Sequence, residues 1–89
     1  MTRQELSDLY NALYYGHEAE LEICDQHYFI EWGGSSVDIY KVSEGCGEKI
    51  VTFSSDQRSE ILLKIFAFNF DGCNNLNDDY RNISIIDIE

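Results

Sequence analysis

The sequence is poor in basic residues and histidine, has few cysteines, and contains no long apolar run. Six lysines and arginines stand against seventeen aspartates and glutamates, for a net charge of −11. This balance argues against direct binding to nucleic acid, because cationic side chains must neutralise the phosphates, and against anionic membrane surfaces. No stretch reaches the ~18 apolar residues that a membrane span needs, and the polar first residues do not resemble a signal peptide. Proline is absent, which by itself excludes no fold class.

The three cysteines predict free thiols rather than a disulfide framework. Cys24, Cys46 and Cys73 are an odd number at wide spacing, and unpaired thiols are typical of a reducing compartment. Because a signal peptide is also not indicated, we expect a cytoplasmic protein.

The length and the hydrophobic pattern predict a single α+β domain over residues 1–89. Hydrophobic residues make up 44% of the 89 residues, which suffices for one small core. A first helix is indicated by the capping-box spacing of Thr2 and Glu5, and Gly16 is suited to end it. Between them, apolar residues recur at helical spacing: Leu6, Leu9, Tyr10, Leu13 and Tyr14.

The next segments predict an antiparallel β-meander of three to four strands. Glutamates alternate with Ala19, Leu21 and Ile23, so these three apolar side chains face a core and the glutamates face water. Turns are expected at residues 25–26, 33–36 and 43–47, between further β-prone stretches. Strands joined by such short loops pair in antiparallel fashion.

One long and one short helix are predicted after the meander, followed by a short extended tail. The long helix begins at Ser54 or Ser55, and the short helix is capped by Asn74 or Asn75. The tail, residues 83–88, is expected to be an extended segment or an edge strand. We expect the helices to pack on one sheet face and the other face to be solvated.

No pattern indicates a catalytic or metal centre, so we expect a non-enzyme without a cofactor. Cys24 and His27 have zinc-ligand spacing, but the second ligand pair of a zinc site is missing. Residues 67–78 overlay part of a calcium-binding loop, yet Ala67 occupies the position of the first carboxylate. His17 and His27 flank the first strand, and no nucleophile or phosphate-binding motif accompanies them.

The acidic residues form a candidate partner-binding surface. Glu18, Glu20 and Glu22 project from one face of the first strand, ~6–7 Å apart. Four further candidates lie on other elements: Glu31, Asp38, Asp78 and Asp79. The surface predicts a module that binds an unknown protein with a basic surface. The sharper form of this prediction is an inhibitor that mimics nucleic acid. A solvated face that only keeps the chain soluble is the alternative interpretation.

Two other classes of function remain open. Tyr15 and one of Phe29 or Tyr40 are candidate aromatic anchors for a partner or for a second copy of the chain. The first alternative is therefore a structural or assembly module that self-associates, and we expect a monomer or a weak homodimer. The second alternative is a minimal enzyme, which requires a polar pocket around His17 or His27.

Several short stretches carry a resemblance to a group of proteins. They are residues 16–23, 28–30, 70–72 and 85–87, together with Leu76 and Tyr80. In them the chain resembles a loose group of uncharacterised small acidic proteins encoded on mobile elements of Gram-positive bacteria, which has no established activity to carry over. In size, charge and element order the chain is also similar to some small anti-CRISPR inhibitors. That similarity implies a helix–meander–helix fold and an inhibitor that occupies a DNA-binding cleft.

Overall fold

The computed structural model describes residues 1–70, 72 and 74–89. Two residues used above, Asp71 of the calcium-loop pattern and Cys73, the third thiol, lie outside the described residues. The elements, in chain order, are α1 (Arg3–Tyr14), β1 (Ala19–Ile23), β2 (Gln26–Trp32), β3 (Ser36–Ser43), β4 (Cys46–Ser54), α2 (Arg58–Ala67), α3 (Leu76–Asp79), a 3₁₀ turn (Tyr80–Asn82) and β5 (Ile83–Ile88). The chain is thus α+β, as predicted.

Helix α1 begins with the predicted capping box and ends at the predicted glycine. The Glu5 N–H donates to Thr2 Oγ1 at 3.1 Å, and the Thr2 N–H donates to Glu5 Oε1 at 2.8 Å. These bonds satisfy two of the donors that a helix start leaves without a partner. At the other end Gly16 adopts a φ of 90°, and the His17 N–H donates to Ala12 O at 2.9 Å. This is the Schellman pattern, in which a left-handed residue closes the helix.

Five antiparallel strands form one sheet with the order β4-β3-β2-β1-β5. The hairpin turns at residues 24–25 and 44–45 each have positive φ at both positions. Two-residue turns of this kind match the right-handed twist of the strands that they connect. They fix the register of both hairpins, and the first of them places Glu22 opposite His27.

One face of the sheet packs against the helices and forms the core. Ala19, Leu21 and Ile23 are buried, which confirms the alternation predicted for β1. The helices contribute leucines, isoleucines and a phenylalanine to the same cluster. Its buried members are Leu9, Leu13, Ala19, Leu21, Ile23, Tyr28, Ile30, Val37, Ile39, Ile61, Leu62, Ile65, Phe66, Phe70, Leu76 and Ile83. The opposite sheet face is left to solvent.

Two predicted features require correction. The sheet has five strands rather than three to four, because the tail, Ile83–Ile88, pairs with β1 as an edge strand. Helix α2 begins at Arg58 rather than at Ser54 or Ser55. Ser54 instead continues β4 and lies opposite Ser36, so long-range strand pairing outweighs the local capping signal.

Each edge pair of the sheet contains a β-bulge. The register omits Ile86 between β1 and β5, and it omits Ile50 between β3 and β4. The two isoleucines are 47% and 37% exposed. A bulge interrupts the two-residue alternation and increases local twist, which explains these exposed apolar residues and makes both edges less regular templates for another strand.

The capping box makes a prediction about pH. The backbone N–H of Thr2, followed by its side chain, holds the pKa of Glu5 below the ordinary value of 4.5. A carboxylate with a lowered folded-state pKa adds stability above its unfolded pKa and loses it as pH falls through the folded pKa. We therefore expect Glu5→Gln to lower the free energy of unfolding at neutral pH.

The difference between Glu5→Gln and the unsubstituted protein should shrink at acidic pH. Urea denaturation at about pH 7 and about pH 3 measures it. As a companion, Thr2→Ala removes the capping hydroxyl and should cost about 1 kcal/mol. An effect of Glu5→Gln that is the same at both pH values would contradict the proposed role of the carboxylate charge.

Candidate functional site

The acidic residues of the strands gather on the sheet face that the helices leave uncovered. Glu20 and Glu22 alternate with the buried residues of β1 and point away from the core. Glu31 lies opposite Asp38, and Asp87 lies opposite Glu20. Directly opposed residues share a sheet face. We call this surface the acidic face: Glu20, Glu22, Glu31, Asp38 and Asp87, with Glu18 directly before β1.

Asp78 and Asp79, the other two predicted site residues, lie on the helix side of the sheet. They belong to α3, whose Leu76 packs in the core. The Asp78 N–H donates to Asn75 Oδ1 at 2.8 Å, which confirms Asn75 as the helix cap. The Asp79 Oδ2 accepts from the Asn75 N–H at 3.1 Å. The carboxylates of Asp78 and Asp79 thus both accept hydrogen bonds from Asn75 at the start of α3, and they do not join the acidic face.

Hydrogen bonds orient two carboxylates of the acidic face, and a third lies near the same histidine. His27 Nδ1 donates to Glu20 Oε2 at 2.7 Å, and His27 Nε2 lies 3.7 Å from Glu22 Oε2. On the neighbouring strands Thr52 Oγ1 donates to Asp38 Oδ1 at 2.6 Å. The side chains of His27, Glu20 and Glu22 remain 41%, 27% and 39% exposed. The face is thus partly ordered, yet its carboxylates still reach solvent.

A shallow depression lies on the same sheet face. Its volume is about 370 Å³, and it is lined by Phe29, Glu31, Tyr40, Val42 and Gly47. Phe29 lies opposite Tyr40, and Val42 lies opposite Gly47. A Cβ atom added at Gly47 would lie 3.8 Å from Cβ and Cδ1 of Tyr40. The missing side chain at Gly47 therefore leaves one side of the Tyr40 ring uncovered.

The charge of the outer sheet face changes from one edge to the other. A cross-strand row reads Asp87, Glu20, Phe29, Tyr40 and Lys49. The two acidic positions lie on β5 and β1, the aromatic pair lies in the middle, and the lysine lies on β4. A cationic group is therefore attracted to one side of the depression and repelled from the other.

The three aromatic residues predicted as candidate anchors lie on two different surfaces. Tyr15 follows α1 and is 75% exposed. Phe29 and Tyr40 are both half-buried and both lie on the outer sheet face, where they line the depression. The outer sheet face thus has an apolar centre surrounded by charged residues. The sequence predicted the charged residues and the candidate aromatic residues but not that they share one face.

A second hollow lies where the β2–β3 loop meets the start of α2. It has a volume of about 210 Å³ and is lined by Trp32, Gly34, Ser35, Ser55, Asp56, Arg58 and Ile61. The Arg58 guanidinium lies 4.8 Å from the Trp32 ring centre and donates to Tyr14 O at 2.6 Å. Arg58 therefore links β2, α1 and α2, and this hollow is part of the contact between the layers.

The side chains considered as zinc or catalytic ligands face different neighbours. Cys24 Sγ accepts from Asn74 Nδ2 at 3.4 Å, and the His27 ring turns toward β1. His17 Nδ1 lies 3.2 Å from Glu89 O, at the opposite end of strand β1 from His27. Within residues 1–70, 72 and 74–89, the structure contains no group of three or more His, Cys, Asp or Glu side chains that could hold a metal ion.

Two further observations bear on the chain as a whole. Within the part of the chain that the structure describes, no helix has the length and apolar character needed to cross a membrane. Comparisons with known protein families, with curated proteins and with solved structures found no match. The acidic face and its depression are the features from which a function can be argued.

Sequence reasoning missed Asp87 and Gly47 as members of this site. Counting in twos from the buried Ile83 places residue 87 on the core side of β5. The bulge at Ile86 reverses this and sends Asp87 to the outer face. The available signal was Asp87 itself, because a charged residue at a position that the alternation assigns to the core indicates a break in the alternation. Gly47 was assigned to a loop, although a glycine within a strand often marks an open or closely approached site.

The role of Gly47 can be tested through stability. Its φ lies outside the left-handed region, and an added Cβ would make ordinary contacts with Tyr40. Glycine in a strand costs roughly 0.5–1 kcal/mol relative to alanine. We therefore expect Gly47→Ala to raise the free energy of unfolding by about that amount in urea denaturation.

Gly34→Ala is the matched control for this experiment. Gly34 has a φ of 76°, which a residue with a Cβ adopts only with strain, and the space around it is open. The control should therefore destabilise the protein. A destabilising effect of Gly47→Ala would mean that the glycine is required by the backbone rather than left open at the surface.

Proposed function

We propose that this protein is a small, non-catalytic binding module whose acidic face docks on a basic surface of another protein. The observation that carries the proposal is the gathering of carboxylates from four strands beside an apolar depression on one sheet face. Protein interfaces commonly combine an apolar, aromatic centre with a polar rim. Complementary charge adds specificity and faster association.

The sharper form of the proposal is an inhibitor that occupies a nucleic-acid-binding surface. Glu20 and Glu22 stand two positions apart on β1, so their spacing of ~6–7 Å is close to two phosphate steps of ~3.4 Å along a duplex. Any strand shares this spacing. Glu31, Asp38 and Asp87 add support to this proposal, because they extend the negative surface sideways across neighbouring strands.

A non-catalytic role in the cytoplasm is part of the same proposal. His17 and His27 have separate partners, and the depression is lined mainly by apolar side chains. Neither arrangement supplies the aimed base that nucleophilic catalysis needs. Cys24 and Cys46 are free and exposed, which suits a reducing compartment.

The proposal predicts that binding depends on the carboxylates of β1 and weakens with salt. A variant with Glu18→Gln, Glu20→Gln and Glu22→Gln removes three charges and keeps side-chain size. At ~0.2–1 kcal/mol for each exposed charge, the affinity for the partner should fall at least about threefold. The measurement is quantitative capture from an extract of the native cell, at about 0.05 M and about 0.15 M salt.

The matched control removes three charges from the helix side with Asp8→Asn, Asp56→Asn and Glu60→Gln. It has the same net charge as the test variant but an intact acidic face. We expect the control to retain the partners that the unsubstituted protein captures. Equal loss in both variants would show that only the overall charge matters, and no loss in either would contradict the proposal.

We propose self-association through β5 as a second candidate function. This strand lies at the edge of the sheet, and its Ile86 and Ile88 are 47% and 38% exposed. The bulge at Ile86 makes this edge a less regular template, but the strand carries neither lysine nor proline, two residues that commonly protect a sheet edge. Pairing of two β5 strands would join two sheets and place their acidic faces side by side.

The two candidates respond to salt in opposite directions. Self-association brings chains of net charge −11 together, so screening at higher ionic strength should favour it, whereas docking on a basic partner should weaken. Sedimentation of the purified chain at increasing salt measures the first effect. Ile86→Lys should abolish any dimer, because a charge on an edge strand opposes pairing. A strict monomer at all salt concentrations would rule out self-association.

A further inference from the structure

We propose that the depression on the acidic face binds the side chain of an arginine supplied by the basic partner. The inference rests on the proposed function and names the group that the partner contributes. Two aromatic residues, Phe29 and Tyr40, lie side by side in the wall, with Val42 beside them and Glu31 at the rim. An arginine side chain can contact all three kinds of group at once: its guanidinium can contact the rings and the carboxylate, and its methylene groups can contact the aliphatic surface.

The chemistry favours arginine over lysine. A guanidinium is planar, weakly hydrated and able to stack on an aromatic face while its N–H groups donate to a carboxylate. An ammonium is compact and strongly hydrated, so it loses more on leaving water for an apolar wall. The methylene groups of an arginine can cover Val42 while the head group reaches Glu31, since long cationic side chains bury their stems and keep their heads polar.

The molecule already uses this contact elsewhere. The Arg58 guanidinium lies 4.8 Å from the Trp32 ring centre, and the Arg81 guanidinium lies 5.2 Å from the Tyr80 ring centre. In residues 1–70, 72 and 74–89 these are the two guanidinium–ring contacts, and neither involves the depression. The outer pair of rings is therefore available to a cation from outside the chain.

The surrounding charges set the direction of approach. Glu31 and its neighbour Asp38 lie along one side of the aromatic pair, and Glu20 lies beside Phe29. Lys49 lies on the opposite side, next to Tyr40. An incoming guanidinium is drawn from the side of β1 and β2, and removal of the lysine charge should strengthen its binding.

The test uses two synthetic octapeptides of equal charge, one alternating glycine with arginine and the other alternating glycine with lysine. Each is titrated into the isotopically labelled full chain at about 0.15 M salt, and backbone amide shifts are followed by NMR. The arginine peptide should bind roughly two- to fivefold more tightly, the range expected for an exposed cation–π contact. Its largest shifts should include the amide of Gly47.

Gly47→Val fills the depression without changing charge, and Ser84→Val is its matched control. Ser84 lies on the outer face opposite Glu22, away from the depression. In Gly47→Val the preference for arginine should disappear while weak binding of both peptides remains. In Ser84→Val the preference should persist. Lys49→Gln should tighten binding of both peptides, because it removes a like charge beside the site.

The outcomes separate this inference from the proposed function. Two results would overturn the arginine site: equal affinities of the two peptides, or an arginine preference that survives Gly47→Val. The proposed function would still stand in either case if the combined variant Glu18→Gln, Glu20→Gln and Glu22→Gln binds the peptides more weakly. If that triple variant binds both peptides as well as the unsubstituted protein, the proposed function fails. If neither the arginine peptide nor the lysine peptide binds, both proposals are contradicted.

Discussion

Strand β1 is the constraint on which the other features of the molecule depend, because both of its faces and both of its edges are in use. Its inward residues, Ala19, Leu21 and Ile23, form the middle of the core. Its outward residues, Glu20 and Glu22, supply the negative surface. Its edges pair with β2 and β5. A shift of one residue would exchange the two faces and place carboxylates among leucines, so the core fixes the position of the acidic face.

The acidic face costs the fold something, and several contacts reduce that cost. Carboxylates on adjacent strands repel one another, as Glu20 and Asp87 do across the β1–β5 pair. His27 lies between Glu20 and Glu22, where its ring donates to Glu20 and lies 3.7 Å from the Glu22 carboxylate. Thr52 donates to Asp38 in a similar way. The apolar depression is a further departure from what stability alone favours, because Gly47 contributes no side chain to the packing.

Local signals predicted the elements whose structure is set by near neighbours. The box of Thr2 and Glu5, the glycine at residue 16 and the alternation of β1 all act over a few residues, and each is confirmed. The features that sequence reasoning missed or left open depend on distant partners. Ser54 belongs to β4 because it pairs with Ser36. The tail, predicted as an extended segment or an edge strand, is the edge strand β5 because it pairs with β1.

The site was predictable to the same extent as the fold. The glutamates of β1 follow directly from alternation, and Glu31 and Asp38 follow once β2 and β3 are paired. Asp87 required knowledge of the bulge, and the depression required the register that places Gly47 opposite Val42. Asp78 and Asp79 lie in α3, on the helix side of the sheet, which agrees with the prediction that the helices pack on one sheet face and leave the other to solvent.

The pairing of β1 with β5 also has a consequence for the order of folding. Ile23 lies opposite Ile83 although 60 positions of sequence separate them, whereas the meander closes through three short turns. Contacts between distant residues form more slowly than local ones, so the early meander presents β1 as an unprotected edge. The alternating glutamates on that strand then act as gatekeepers, since charge discourages intermolecular strand pairing while the last strand is still unbound.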